Sequence, residues 1–303
     1  MDQKLAQPNL GMAVVLALMA VGLQMLLAMP LGVIDVVVEQ GMHLPSPKLE
    51  RQPLIIGFVN LVAFGGAIAL GLYLNRLPFR RAFAAGRVTV MQLTGIAILL
   101  LGGGVLLSEA DNGFRWLAPP PKWLADIIRD VFVDEGKLLS RVFLLVLVAP
   151  VTEELLFRGI ILRGLLSRHR PAVAVALSAA LFTAGHLNPW QSCSAFFLGI
   201  VLGWIYLRTT SLTLCVIGHA FFNGLTILFT VLPLDIPGMT GTIDFSNVEF
   251  QPWWLDLTGL SLLLVGLWIV RQATPPPKFD ELPKPPIIPG TAAVTGPRLQ
   301  ADQ

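Results

Sequence analysis

Charged residues are scarce in this sequence of 303 residues. Only 13% of the residues are Asp, Glu, Lys or Arg, whereas 54% are hydrophobic and the mean hydropathy is +0.72. Soluble globular domains carry about 25% charged residues. The shortage of charge therefore excludes an ordinary soluble domain and indicates an integral membrane protein. The net charge of +2 is too small to indicate a nucleic-acid-binding surface, so nucleic acid is not an expected partner.

Cysteine is equally scarce, and the usual nucleophiles are poorly placed. Cys193 and Cys215 stand inside apolar runs and form no CxxC pair, which excludes a disulfide framework, so both are expected to be buried structural thiols. No serine, cysteine or aspartate is positioned for a nucleophilic triad. Ser178 and Ser194 look like ordinary small residues at helix contacts.

Long apolar segments dominate the sequence instead. A helix needs about 20 apolar residues to cross a hydrocarbon layer about 30 Å thick. The sequence therefore predicts an all-α, polytopic membrane bundle of about eight transmembrane helices within a membrane domain of residues 1–272. The predicted spans are residues 10–34, 53–75, 89–108, 141–163, 171–188, 193–208, 212–232 and 253–271.

The connections between the spans predict the orientation of the bundle. Residues 75–87 contain four arginines and no acid, and residues 163–170 contain three arginines. The positive-inside rule places both connections in the cytoplasm. Eight spans then put both termini in the cytoplasm as well, and the expected location is the plasma membrane. The proline-rich residues 273–303 cannot build a core, and we expect them to form a disordered cytoplasmic tail.

The connection between the third and fourth spans is long and acidic, as expected on the outside. It contains the segment PPPKWLADIIRDVF, in which Trp123, Ile127, Ile128 and Val131 fall on one face of a helix. That pattern predicts a short interfacial helix outside the membrane.

Two adjacent glutamates lie inside an apolar run. Glu153 and Glu154 belong to the sequence RVFLLVLVAPVTEELLFRGIILRGLL. An ionised side chain at the bilayer centre costs about 2.5–3.5 kcal/mol, so such residues usually face a bundle interior and mark function. Glu154 and Arg158 are four residues apart on one helix and can pair. Glu153 lies about 100° around the helix from Glu154 and is free to face another group.

Three more polar residues stand in the late spans. His186 follows Phe182 by one helical turn, and His219 and Asn223 are four residues apart on one helix face. Two different helices thus offer an imidazole to the bundle interior. Read singly, a histidine here is as compatible with packing as with catalysis, and Asn223 alone would more often be a hydrogen-bonding residue between helices than a catalytic one. Together with the glutamates, they indicate a site.

Two chemistries would use this set of groups. A carboxylate held among apolar helices can act as a general base for water, while imidazoles and an amide hold the water and stabilise an oxyanion. Alternatively, Glu153, His186, His219 and Asn223 could hold a zinc ion. Asparagine is an uncommon zinc ligand and the sequence has no HExxH motif, so the metal-free chemistry ranks first and no cofactor is expected.

The motifs resemble those of a known family. EELLFR matches the EExxxR signature, FTAGH matches FxxxH, and HAFFN matches the HxxxN form of the third signature of the CPBP intramembrane proteases. This family includes the type II CAAX prenyl endopeptidases and the bacteriocin-processing or immunity (Abi-like) proteins. The three motifs occur in the family's order, and the resemblance covers about residues 140–232.

The resemblance implies an intramembrane endopeptidase in which Glu153 activates water. It implies that His186, His219 and Asn223 surround that water and stabilise the oxyanion, and that Glu154 and Arg158 order the site. The implied substrate is a membrane-associated peptide or protein, lipidated or not, within the bilayer. Two other interpretations stay open at this point: a proton-coupled transporter, because a glutamate with histidines also makes a proton relay, and a catalytically silent scaffold.

Overall fold

The computed structural model describes residues 8–83, 85–86, 88–133, 135–232, 234, 236–239 and 248–274. These residues contain helices and no strand, which confirms the predicted all-α class. The predicted tail, residues 273–303, lies outside the described residues except for Ala273 and Thr274. The α-helices of the described residues are α1 (Leu10–Val36), α2 (Pro53–Leu74), α3 (Phe79–Ala82), α4 (Val90–Leu117), α5 (Lys122–Ile128), α6 (Leu138–Val142), α7 (Ala149–Leu156), α8 (Arg163–Leu166), α9 (Pro171–Gly185), α10 (Ser192–Thr209), α11 (Leu212–Val231) and α12 (Trp253–Ala273).

Six helical segments in the described part of the chain are long and apolar enough to cross a membrane. They correspond to six of the eight predicted spans and confirm a polytopic membrane protein. The segments are Leu10–Gly41, Pro53–Leu74, Val90–Leu117, Pro189–Thr209, Leu212–Val231 and Trp253–Ala273.

The predicted span at 141–163 is one uninterrupted helical segment of unusual form. Helices α6, α7 and α8 follow one another through two π-helical segments, Phe143–Val148 and Phe157–Leu162, so that residues 138–166 are helical throughout. A π-helix hydrogen-bonds from residue i to residue i+5 and often marks a functional site. This segment also carries two glutamates and several arginines, which is more charge than an ordinary span contains.

The predicted span at 171–188 is shorter than expected. Helix α9 ends at Gly185 and has 15 residues, or about 22 Å of length, which is less than the bilayer thickness. It ends there because Leu187 adopts a left-handed backbone (φ 50°), which breaks the helical repeat shortly before Pro189. The number of spans, eight, remains a prediction.

The third span extends beyond its predicted end at residue 108. Helix α4 continues to Leu117 because its polar last turns find partners. Glu109 accepts a hydrogen bond from the backbone N–H of Gln251 at 2.9 Å, and Arg115 pairs with Asp111 at 2.9 Å. The expected helix in the following connection is present as α5, and its Trp123 is exposed.

Glycine and alanine let neighbouring helices approach closely. A β-carbon at Gly102 or Gly266 would overlap the backbone of the facing helix in the α4–α12 pair. In the α9–α10 pair, a β-carbon at Gly199 would come within 2.8 Å of the Ala179 side chain. Small residues serve this purpose in membrane bundles, where close van der Waals packing replaces the hydrophobic effect between helices.

The helical segment 138–166 lies at the centre of the bundle. Every residue from 156 to 162 is buried, and this stretch belongs to a core cluster with side chains of α1, α2, α4, α9, α10 and α11. Many large apolar side chains on the outer helices are exposed, as expected for surfaces that face lipid. Cys193 is also exposed, so the prediction that it is buried is wrong; it lies in the first turn of α10, outside the core. Cys215 is buried as predicted.

Both ends of the described chain lie on the arginine-rich side of the bundle. Pro8 packs against Gly164, inside the arginine-rich residues 163–170. Helices α9 and α10 form an antiparallel pair, so α10 ends on the side where α9 begins. There, Nε of Arg208 donates to Oγ1 of Thr274 at 2.6 Å. This arrangement is the one that an even number of spans requires.

Candidate active site

Glu154 is the most enclosed polar group of the site. Its side chain has no exposed surface, and its Oε1 atom accepts two hydrogen bonds. One comes from Nη1 of Arg158 at 2.6 Å, and the other comes from Nδ1 of His219 at 2.8 Å. The Glu154–Arg158 pair is the one that the four-residue spacing predicts. The bond to His219 joins α7 to α11 across 65 residues of sequence.

Arg158 joins the same site to α10. Its Nη2 atom donates to the carbonyl oxygens of Gly199 at 3.1 Å and Leu198 at 3.5 Å. Its guanidinium also lies 5.1 Å from the centroid of the Phe182 ring, where the ring's negative face attracts a cation. The buried charge is therefore compensated by a carboxylate, two carbonyls and an aromatic face.

Phe182 contacts both histidines. It is buried, and its ring makes edge contacts with the rings of His186 (4.8 Å between centroids) and His219 (5.8 Å). Phe157 packs on the same ring at 5.1 Å. The FxxxH motif thus supplies both an imidazole and the apolar support on which the second imidazole rests.

Glu153 faces away from the buried pair, as the 100° step around the helix predicts. Its Oε2 atom lies 3.9 Å from Nε2 of His219 and accepts no hydrogen bond from a described residue. Its side chain is 12% exposed, whereas that of Glu154 is fully buried. Oε2 of Glu154 also accepts no hydrogen bond from a described residue, but Glu154 has no exposed surface. Because it is partly exposed, Glu153 is the glutamate that can bind a further molecule such as water.

Hydrogen bonds at Nδ1 fix the neutral tautomers of both histidines. Nδ1 of His186 lies 2.9 Å from the carbonyl oxygen of Phe182, which can only accept. Nδ1 of His219 likewise faces the Glu154 carboxylate. Each neutral ring therefore donates from Nδ1 and keeps a lone pair on Nε2. In that state, each Nε2 can accept a hydrogen bond or a proton but has no hydrogen to donate.

Asn223 has a partner that the sequence did not predict. Its Nδ2 atom donates to the backbone carbonyl of Leu145 at 2.8 Å, in the π-helical segment Phe143–Val148. The sequence offers one signal for this contact, namely Pro150, a residue without an N–H inside a helical pattern. Sequence reasoning identified Asn223 but not the carbonyl that it binds.

The same residues fit a metal poorly. Among the described residues, no group of three or more His, Cys, Asp or Glu side chains is arranged to hold a metal ion. Asn223, the fourth group of the alternative zinc set, donates from Nδ2 to Leu145 and could offer a metal only its amide oxygen, which is an uncommon zinc ligand. We therefore derive no catalytic step through a metal.

The central part of the chain matches a known protein family. Residues 135–225 match the family model described as "Type II CAAX prenyl endopeptidase Rce1-like". No curated protein and no solved structure matches the chain. The matched residues contain all three motifs, and they run from the 3₁₀ turn before α6 into α11. Residues 135–225, less than half of the chain, are therefore similar to the Rce1-like type II CAAX prenyl endopeptidases, in agreement with the CPBP family that the motifs resemble.

Proposed function

We propose that this protein is an intramembrane endopeptidase in which Glu153 activates water. The family match supports an intramembrane endopeptidase in general. The observation that carries the finer proposal is the position of Glu153: its Oε2 accepts no hydrogen bond from a described residue and lies 3.9 Å from Nε2 of His219. The Glu153 carboxylate, which takes the proton from water, thus lies beside the His219 nitrogen that can receive the proton from it.

In the proposed reaction, Glu153 removes a proton from a water molecule. The resulting hydroxide attacks the carbonyl carbon of the scissile peptide and forms a tetrahedral intermediate with a negatively charged oxygen. The lone pair on Nε2 of His219 or of His186 can accept the second hydrogen of the water and orient the water before the attack. Glu153 is the general base of the proposal because its side chain is partly exposed and its Oε2 accepts no hydrogen bond from a described residue.

His219 then carries the proton onward. The proton taken by Glu153 passes to Nε2 of His219, 3.9 Å away, and converts the ring into an imidazolium. Glu154 stabilises that cation through Nδ1, as a triad carboxylate does for its histidine. The new Nε2–H donates first to the oxyanion and then to the leaving nitrogen. The C–N bond breaks, which yields a carboxylic acid and an amine and restores the neutral ring.

The proposed substrate is a membrane-associated protein or peptide that carries an isoprenoid near its C-terminus. The proposal rests on the family description, which names a CAAX prenyl endopeptidase. A lipid anchor would hold the cleavage site at the depth of the bundle, beside α7 and α11. The enzyme therefore needs no soluble substrate-binding domain.

Cleavage of a farnesylated CAAX peptide by the purified protein in detergent or nanodiscs would test the proposal. Glu153→Gln should abolish product formation, because the amide has nearly the same shape but cannot take a proton from water. The matched control is Glu39→Gln, which makes the same change at an exposed glutamate and should leave the rate unchanged. Product at the wild-type rate from well-folded Glu153→Gln would remove Glu153 from the mechanism. No cleavage of any peptide by the wild type would favour a transporter or a silent scaffold.

A further inference from the structure

The helix that carries Glu153 has a backbone carbonyl without a helical donor. In the segment Phe143–Val148, hydrogen bonds run from residue i to residue i+5, so the N–H of Ala149 donates to the carbonyl of Leu144. In an α-helix that N–H would have served Leu145. The next N–H in the π register would belong to residue 150, which is proline. Neither helical register therefore gives the Leu145 carbonyl a donor.

Asn223 supplies the missing donor from α11. Its Nδ2 atom lies 2.8 Å from the Leu145 carbonyl oxygen. A carbonyl away from water needs such a partner, since an unsatisfied polar group is unfavourable among apolar helices.

The same face of α11 holds the helix on both sides of the proline. Asn223 binds Leu145 before Pro150, and His219, one turn earlier on α11, binds Glu154 after it. Glu153 lies between these two attachments. Two hydrogen bonds to a single neighbouring helix therefore restrain the rotation of the helix at Glu153.

We infer that Asn223 is a positioning residue, which holds the π-helical turn and so aims Glu153 at the substrate. One of the two amide hydrogens of Asn223 is directed to the Leu145 carbonyl before any substrate is present. The inference rests on the proposed function only for the claim that the position of Glu153 affects the rate. The claim that Asn223 stabilises the 143–154 segment stands without it.

A double-mutant cycle with Pro150 separates positioning from oxyanion binding. Asn223→Ala should reduce cleavage by about a hundredfold, because a misplaced catalytic group loses that much rate. Removal of an oxyanion donor would also reduce the cleavage rate by about a hundredfold or more. The size of the loss alone therefore does not distinguish the two roles. Pro150→Ala restores a backbone N–H that can satisfy the Leu145 carbonyl. In the double variant, Pro150→Ala should therefore recover at least half of the loss that Asn223→Ala causes in the logarithm of the cleavage rate. A double variant no faster than Asn223→Ala, with Pro150→Ala alone active, would overturn the inference.

Hydrogen–deuterium exchange gives a second readout that needs no activity. In the Glu153→Gln background and without substrate, Asn223→Ala should make the amides of residues 147–154 exchange about tenfold faster, because the local segment opens more easily. Thr226→Val is the matched control: Thr226 lies one turn beyond Asn223 on α11, and among the described residues its hydroxyl bonds to the Phe222 carbonyl of its own helix. An oxyanion donor has no role before substrate binds. Unchanged exchange in Asn223→Ala would therefore overturn the inference, even if Pro150→Ala proved inactive or no substrate were cleaved.

Discussion

His219 donates its Nδ1 hydrogen to Oε1 of Glu154 across 2.8 Å, between two helices that are 65 residues apart in the sequence. Because of this bond, the two adjacent glutamates have different surroundings. Glu154 is occupied by His219 and by Arg158, whereas Glu153 faces Nε2 on the other side of the same imidazole. The histidine is thus hydrogen-bonded to one carboxylate and lies beside the other.

The first prediction concerns the stability of the buried pair. Glu154→Gln leaves Arg158 as a buried charge without its carboxylate, and breaking such a pair destabilises a protein by about 3–5 kcal/mol. We expect a clearly lower unfolding temperature in detergent. Glu154→Gln with Arg158→Met removes both charges and should recover part of that loss while remaining inactive, because His219 lacks its carboxylate. If Glu154→Gln unfolds at the wild-type temperature, the pair does not stabilise the bundle.

The second prediction separates the two chemistries. If Glu153 alone activates water, chelation should leave activity nearly unchanged. A zinc ion would instead lower the pKa of its bound water from 15.7 to about 7, and its removal would abolish turnover. Because chelators can fail to reach a buried site, elemental analysis of active protein is the sharper measurement. One zinc per chain, lost together with activity in His186→Ala and His219→Ala, would contradict the metal-free mechanism.

The third prediction is the orientation of the chain. The structure places Pro8, the connection at 163–170 and Thr274 on one side of the bundle, and that side carries the arginine clusters. The positive-inside rule assigns it to the cytoplasm. Reporter fusions at each end, or labelling of single cysteines there in intact cells after replacement of Cys193, should report two cytoplasmic termini. If one end is accessible from outside, the bundle has an odd number of spans.

The fourth prediction concerns a link between two connections on the opposite side. Asp130 accepts hydrogen bonds from Lys48 and Arg51, each at 3.0 Å. Burial acts to raise the pKa of Asp130, but these hydrogen bonds and positive charges outweigh it, so the pKa lies below the ordinary value of 3.8. A carboxyl group with a lowered pKa stabilises the fold above its unfolded pKa, and it loses that contribution as the pH falls through its folded pKa.

Asp130→Asn should therefore lower the unfolding temperature slightly near neutral pH, since each partly exposed ion pair contributes about 1 kcal/mol or less. The difference between the variant and the wild type should shrink as the pH falls below 3.8. Thermal unfolding of both proteins across an acidic pH series measures this difference. A difference that stays constant down to the lowest pH would show that the charge of Asp130 contributes nothing to the link.

The sequence by itself determined the class of the protein and the local geometry of its motifs. Hydropathy required membrane helices, because about 20 apolar residues in a row have no other stable environment. The helical period alone placed Glu154 and Arg158 on one face and turned Glu153 to another. These features depend on residues within one turn of each other, so no knowledge of the neighbouring helices was needed.

Only the tertiary structure decided which groups meet across helices and how each nitrogen is used. The contacts of His219 with Glu154 and of Asn223 with Leu145 depend on how α11 packs against the segment 138–166. They also depend on the π-helical turn at Phe143–Val148. Each extra residue in a turn rotates the following side chains by about 100°, and the packing of neighbouring helices selects that register. The hydrophobic period of the sequence therefore does not predict where the helix changes from the α to the π register.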